Sequence, residues 1–254
     1  AIDWFSTHPL TADRVQQTIG LAGQYPQGGT LARDTYLDMI DGMVYGQSAR
    51  HGFVRDNVFY HTEMGFTFQA PSGFIIQNQP SQVVATNNRG AVILFDAAAN
   101  AQGLDARSYL TQVWMKGEPS GDVETITING MKAATASFNG TVGKVASTIR
   151  IVAVEWSPDT FFRFQMAVPR NASAALIDDL KRTTYSLRAL SADEKRSIKP
   201  YRVRIITAGT GDSVASLARR MPYNTYQEER FRTLNALRHD EHIQAGRQYK
   251  LIVE

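Results

Sequence analysis

The sequence contains no cysteine, only five histidines and no long apolar run. Without cysteine the chain has no disulfide scaffold, no thiolate metal site and no cysteine nucleophile. The shortage of histidine restricts zinc chemistry and acid–base chemistry at neutral pH, because both depend largely on imidazole. No stretch of about 18 uncharged apolar residues occurs, so the sequence predicts no transmembrane segment.

The charge excess is small and dispersed, with 27 basic and 24 acidic residues and a net charge of +3. The basic clusters are short and none forms a long single-sign stripe with stacking aromatic residues, so we expect no nucleic-acid partner. Hydrophobic residues make up 43% of the 254 residues. That share is enough to form hydrophobic cores and excludes a chain disordered throughout. The length favours one large domain or two modest ones.

Residues 1–45 carry helical patterns. Thr11 is the predicted N-cap of a first helix whose apolar positions are Val15, Ile19 and Leu21. A second helix is predicted over 34–43 from the spacing of its apolar residues. These helices have too few apolar residues for a core of their own. The chain begins Ala-Ile-Asp-Trp, and we expect it to be a processed protein or a piece of a longer one.

From residue 46 the apolar pattern changes to short β-type runs, which predicts an α+β domain over 46–190. We expect an antiparallel sheet of about six or seven strands with helices on its faces. The pair Asn129-Gly130 predicts a tight hairpin turn. Asn171 is the predicted cap of the last helix of this domain. The neighbours Phe161 and Phe162 must point to opposite faces of the sheet, and one of them is a candidate for a partner surface.

The charged segment 191–200, SADEKRSIKP, is the predicted linker to a small C-terminal domain over 201–254. In this last domain a strand, two helices and a closing strand follow one another. Asp212 is the predicted N-cap of its first helix.

The C-terminal domain resembles a LysM module. The residues that carry the resemblance are Tyr201-Arg-Val203, Gly211-Asp212-Ser213-Val214, Leu234-Asn235 and the closing run from Ile243 to Leu251. The resemblance implies a small βααβ LysM-like domain and the binding of glycans that contain N-acetylglucosamine, such as peptidoglycan. Its implied glycan-binding residues are Gly211, Asp212, Ser213 and Asn235. The loop from Pro222 to Gln227 departs from the family pattern.

The first residues resemble a different family. Phe5-Ser-Thr-His8-Pro9 and the following Asp13-Arg14-Val15 are similar to the segment that closes the catalytic domain of HtpX-like zinc metallopeptidases. The opening of the α+β domain, Gly65-Phe-Thr-Phe68 with Pro71, resembles PsbP-like folds. Together these resemblances imply three parts: an N-terminal helical segment over 1–45 that is a remnant of the peptidase domain, an antiparallel α/β sandwich (PsbP-like), and the LysM-like domain.

The chain lacks the H-E-x-x-H motif that a zinc peptidase of this class needs, so we predict that it is inactive alone. No catalytic residue and no cofactor is expected in this chain, and zinc is expected in the parent protein. In related peptidases the histidine equivalent to His8 lies near the metal, so His8 is a metal ligand only beside the missing catalytic domain. His239 and His242 are three residues apart in a polar loop without a third ligand, which favours a solvated loop.

Two functions from different classes follow. The first is a non-catalytic targeting or regulatory region of a periplasmic or cell-envelope zinc metalloprotease, with the catalytic domain and peptidoglycan as partners. The alternative is a protein–protein interaction module that packs on the protease domain or its substrates without binding glycan. A stoichiometric, tightly bound zinc ion would instead favour an enzyme in its own right.

Overall fold

The computed structural model describes residues 11–25, 32–116 and 122–254, and these form an α+β architecture with antiparallel sheets, as predicted. Its helices are α1 (Thr11–Ala22), α2 (Arg33–Ile40), α3 (Ala106–Tyr109), α4 (Ala174–Ser186), α5 (Ala192–Ser197), α6 (Val214–Ala218) and α7 (Gln227–Asn235). Its strands are β1 (Phe53–Arg55), β2 (Val58–His61), β3 (Phe66–Gln69), β4 (Ile75–Asn78), β5 (Val83–Thr86), β6 (Val92–Ala99), β7 (Glu124–Ile128), β8 (Met131–Val142), β9 (Val145–Ser157), β10 (Thr160–Pro169), β11 (Arg188–Ala189), β12 (Arg202–Thr207) and β13 (Gln248–Val253).

The large sheet of the α+β domain has seven antiparallel strands in the order β4-β5-β6-β10-β9-β8-β7. Its β7–β8 turn follows the prediction: Asn129 and Gly130 have φ of 48° and 84°, the left-handed pair that a two-residue hairpin requires. Phe161 and Phe162 are both buried, on opposite faces of β10. The hypothesis that one of them lines a partner surface is therefore wrong.

A second sheet, in the order β1-β2-β3-β11, covers one face of the large sheet. Three phenylalanines of the small sheet meet three of the large one: Phe59, Phe66 and Phe68 against Phe95, Phe162 and Phe164. The rings of Phe66 and Phe162 lie 4.4 Å apart between centroids, and those of Phe68 and Phe95 lie 4.7 Å apart. This aromatic layer is the main core, and α4 packs beside it through Leu180. Neither β1 nor β11 was predicted from the sequence.

The opposite face of the large sheet is covered by α3 and a π-helical turn, Leu110–Trp114. Tyr109 stacks on Phe161 with 4.1 Å between ring centroids. Arg163 Nε donates to Asp96 Oδ1 at 2.7 Å, and the guanidinium lies over the ring of Trp114. This half-buried ion pair therefore sits under aromatic cover rather than in open solvent.

Two predicted helix caps are wrong. The cap of α4 is Ser173, whose hydroxyl accepts from the Leu176 N–H, because a tight turn from Pro169 to Ala172 precedes the helix. The cap of α6 is Ser213 and not Asp212. Asp212 turns back instead, and its Oδ2 accepts the Gly209 N–H at 2.7 Å.

The segment predicted as a linker contains a short helix, α5. Ser191 and Glu194 form a capping box at its start. The Arg188 guanidinium donates to both carboxylate oxygens of Glu194, at 2.6 and 2.9 Å, and these hydrogen bonds lower the pKa of Glu194 to about 2. The segment therefore continues from β11 as ordered chain.

The C-terminal module has the predicted βααβ order, with β12 and β13 paired antiparallel. The helices α6 and α7 pack on this pair of strands through Leu217, Phe231 and Tyr249.

The N-terminal segment joins the same module, because residues 41–45 run along the free edge of β12. Gly42 N–H donates to Val203 O at 2.8 Å, and Val203 N–H donates to Met43 O at 2.9 Å. Ile40, the last residue of α2, packs on the core of the module.

Candidate functional site

The loops that the LysM resemblance marks lie at one end of the C-terminal module. The first loop follows β12 and the second precedes β13, and the antiparallel pairing brings Thr207 opposite Gln248. Two backbone hydrogen bonds join the loops: Ala208 N–H donates to Arg247 O at 2.9 Å, and Gly246 N–H donates to Ala208 O at 2.8 Å. The two loops therefore form one continuous surface, called here the loop pair (residues 208–213 and 236–247).

Gly211, Asp212 and Ser213 form the tip of the first loop. Gly211 has φ of 89°, which a residue with a Cβ adopts only with strain, and its α-carbon is open to solvent. The side chains of Asp212 and Ser213 are used locally, since Asp212 closes the loop on Gly209 and Ser213 caps α6. What this tip offers a ligand is therefore exposed backbone and the hydroxyl of Thr210.

Asn235 belongs to the framework of the module. It lies at the end of α7, where its Oδ1 accepts the Lys250 N–H at 2.7 Å and its Nδ2 donates to Lys250 O at 2.9 Å. Nδ2 also donates to Phe231 O at 3.0 Å. The amide therefore pairs with the outer edge of β13 as a neighbouring strand would, and it holds the helix against the sheet. The structure thus places Asn235 near the loop pair but commits both of its polar atoms.

The described residues do not fit a zinc ion. No group of three histidine, aspartate or glutamate side chains with metal-ligand geometry occurs among residues 14–25, 32–116 and 122–254. His239 and His242 lie in the exposed second loop. His8 falls outside the described residues. His61 is half-buried in the α+β domain, where its Nδ1 accepts the Met64 N–H and burial lowers its pKa.

A cleft of about 740 Å³ between the α+β domain and the module was not predicted. Arg55 of β1 spans it: Nη2 donates to Lys199 O at 2.8 Å, and the guanidinium lies 3.7 Å from the ring centroid of Tyr201. Arg230 covers the ring of Tyr223 in the same way, and burial raises the pKa of both tyrosines. Guanidinium groups therefore already cover the ring faces of Tyr201 and Tyr223. The contacts of Arg55 hold the α+β domain against the module, and they are called here the Arg55 clamp.

The loop that departs from the LysM pattern forms one wall of this cleft. Pro222, Tyr223, Asn224 and Thr225 all line it, at the end of the module opposite the loop pair. Only the departure from the family pattern marked this loop in the sequence. The departure coincides with the contact to the α+β domain, and the loop pair keeps its open surface.

No helix of the described chain has the length and apolar content needed to cross a bilayer.

Comparison with known proteins gives no family: no protein-family model and no curated protein matches the chain. Among solved structures, a Bacteroides thetaiotaomicron protein matches 57% of this chain and 50% of its own length, at 12% identity and a TM-score of 0.38. LpqN, involved in cell envelope biogenesis of Mycobacterium tuberculosis, matches 50% of this chain and 83% of its own, at 12% identity and 0.39. Cyanobacterial PsbP (CyanoP) from Synechocystis sp. PCC 6803 matches 54% and 95%, at 12% identity and 0.39. The α+β class rests on the strand pairing of this chain itself.

Proposed function

We propose that this chain is the non-catalytic targeting region of a cell-envelope zinc metallopeptidase and that its C-terminal module binds peptidoglycan. The observation that carries the proposal is the loop pair, two hydrogen-bonded loops at one end of a βααβ module, of which the first exposes Gly211 and the Thr210 hydroxyl. The tip of the first loop suits a neutral sugar unit, because N-acetyl and hydroxyl groups bond to backbone N–H and C=O without paired charges. The resemblance of Ser6-Thr-His8-Pro9 to the end of a peptidase domain supports the rest.

The mechanism is spatial. A module that holds peptidoglycan raises the effective concentration of an attached peptidase near the cell wall, without any new contact to the substrate. Weak binding suffices for this effect, since the attached domain is confined by the tether rather than by its own affinity.

Sedimentation with intact sacculi tests the proposed binding of peptidoglycan. The full chain is used because residues 41–45 complete the module. We expect the chain to sediment and a neutral N-acetylglucosamine oligomer to release it. Thr210→Trp, which adds bulk to the exposed tip of the loop pair, should abolish sedimentation. Thr225→Trp is the matched control, an exposed threonine at the opposite end of the module, and should sediment as the wild type does.

Raising the salt concentration distinguishes non-specific charge attraction from glycan recognition. A chain of net charge +3 adheres to an anionic wall at low ionic strength, and that attraction fades as the Debye length shortens. Sedimentation that disappears at moderate salt, or that Thr210→Trp leaves intact, would contradict glycan recognition by the loop pair.

A second function is favoured by the exposed apolar side chains of α2. Tyr36 and Met39 lie one turn apart on this helix, and Met39 is 80% exposed. A protein partner would cover such a face, and the attached peptidase is the nearest one in the chain. Full chain that binds the separately expressed catalytic domain, loses this binding with Met39→Glu and does not sediment with sacculi would favour this alternative.

A further inference from the structure

The α+β domain contains a cavity of about 560 Å³ between α4 and the large sheet, remote in sequence from the C-terminal module. Its walls are mixed, with polar side chains beside apolar ones that come from both elements: Ile126, Met166, Val168, Ile177 and Leu180. The volume lies within the range of small-molecule sites, about 300–1,000 Å³. The cavity therefore has the size and lining for a ligand with an apolar body.

One guanidinium lies in this cavity, that of Arg150 on β9. Its Nε donates to the Thr135 hydroxyl and its Nη1 to the Thr184 hydroxyl, each at 3.1 Å. Both threonines are buried, and Thr135 in turn donates to Ile151 O at 2.9 Å. The orientation of the guanidinium is thus set by neutral groups of the sheet and of α4.

The charge of Arg150 has no ionic partner among residues 11–25, 32–116 and 122–254, where no carboxylate oxygen lies within 4.0 Å of it. A guanidinium has five N–H donors, and the two threonines use two of them. Desolvation lowers the pKa of Arg150 against the opposing effects of Tyr185 and Glu124, so the folded domain bears the cost of a partly buried cation. An anion that reached the free Nη2 would remove much of that cost.

The rim selects the kind of anion. Asp122 and Glu124 line the cavity and are exposed, so they repel a ligand of high negative charge such as a phosphate dianion. Lys181 also lies at the rim, but it pairs with Asp178 at 3.8 Å. We propose that this cavity binds a monocarboxylate with an apolar body, its carboxylate on Arg150 and its body against the apolar walls.

Titration calorimetry on the full chain tests the proposal with decanoate as the probe. Decanol, which has the same tail without the charge, and inorganic phosphate, which has charge without a tail, are the matched ligands. We expect saturable decanoate binding, and binding weaker by about tenfold or more for decanol and for phosphate, since each lacks one half of the recognition.

Two variants test the two parts of the proposed recognition separately, the charge of Arg150 and the apolar walls of the cavity. Arg150→Met keeps an unbranched side chain of similar character near the backbone and removes the guanidinium, and it should weaken decanoate binding by about tenfold or more. Ile177→Trp fills the cavity from α4 and should abolish binding while leaving Arg150 in place. Arg182→Met, an exposed position on the same helix, is the control and should bind as the wild type does.

Far-ultraviolet circular dichroism shows whether each variant is folded, because Ile177→Trp adds a tryptophan to the domain that already contains Trp114 and Trp156. Retained decanoate affinity in folded Arg150→Met, equal affinity for decanol, equal affinity for phosphate or an absence of saturable decanoate binding would each overturn the proposal.

Discussion

Asn235 separates a framework role from a binding role within the C-terminal module, and Asn235→Ala tests which one it has. The wild-type amide makes two hydrogen bonds to the backbone of Lys250 on the outer edge of β13, at 2.7 and 2.9 Å. Alanine removes both and leaves the N–H and C=O of a half-buried strand without their partner. The substitution should therefore loosen α7 from the sheet without touching the surface of the loop pair.

The expected loss is about 2 kcal/mol, from two hydrogen bonds of about 0.5–1.5 kcal/mol each. A loss of about 2 kcal/mol multiplies the opening equilibrium of the module about 30-fold. Asn235→Asp should lose at least as much, because its second carboxylate oxygen would face the carbonyl oxygens of Lys250 and Phe231, to which the amide nitrogen donates at 2.9 and 3.0 Å.

Amide hydrogen exchange is the suitable assay, since it resolves the module from the rest of the chain. Both described tryptophans, Trp114 and Trp156, lie in the α+β domain, so the fluorescence transition of that domain should stay unchanged. We expect peptides from β12 and β13 to exchange about 30-fold faster in Asn235→Ala. Asn224→Ala is the control in the same module, because Asn224 is exposed and its side chain makes one long contact, 3.5 Å to Asp56.

Unchanged exchange in Asn235→Ala would refute the framework role. If the same variant also stopped sedimenting with sacculi while its exchange stayed at the wild-type rate, Asn235 would be a ligand contact, as the LysM resemblance implies.

Three further changes probe the α+β domain, each by urea unfolding followed through tryptophan fluorescence. Gly52→Ala should destabilise by about 2–4 kcal/mol, because φ is 87° and the new Cβ would lie 2.5 Å from Phe59 Cζ; an unchanged midpoint would contradict this. His61 has a pKa below 6.5 in the folded domain, so the unfolded chain takes up the proton first and stability should fall as pH drops below 6.5. The stability of His61→Gln should fall less over the same pH range, and a pH profile identical to that of the wild type would refute this explanation. Asp96→Asn should cost about 1 kcal/mol by weakening the half-buried pair with Arg163, whereas no cost would mean that aromatic cover alone holds the guanidinium.

Features set by neighbouring residues were predictable from the sequence. The Asn129-Gly130 hairpin is one, because the left-handed conformations that it needs are local preferences. The helix α5 was equally readable from Ser191 and Glu194, whose spacing is that of a capping box, but the charge of the segment favoured a linker. The predicted caps of α4 and α6 were wrong by one or two residues. More than one polar residue precedes each helix, and capping propensity alone does not decide between them.

Features set by distant pairing were not predictable. The strand β11 has two residues and exists because it pairs with β3, more than a hundred residues earlier. Arg150 appears in the sequence as an ordinary strand residue, and the approach of Thr184 on α4 is what makes it a partly buried cation between helix and sheet. The clamp of Arg55 on Tyr201 likewise depends on two parts of the chain that no local pattern connects.

The arrangement of the chain bears on how the proposed function works. The segment 41–45 pairs with β12, and Tyr45 N–H donates to Tyr201 O at 2.7 Å, so the chain leaves the C-terminal module and returns to it at neighbouring points. The α+β domain is therefore inserted into this module, with its two ends close together, as inserted domains require. A peptidase joined ahead of α2 would connect directly to the C-terminal module and not through the α+β domain. Its distance from the cell wall would then not depend on the α+β domain. The inserted domain would stay free to bind its own ligand without changing that distance.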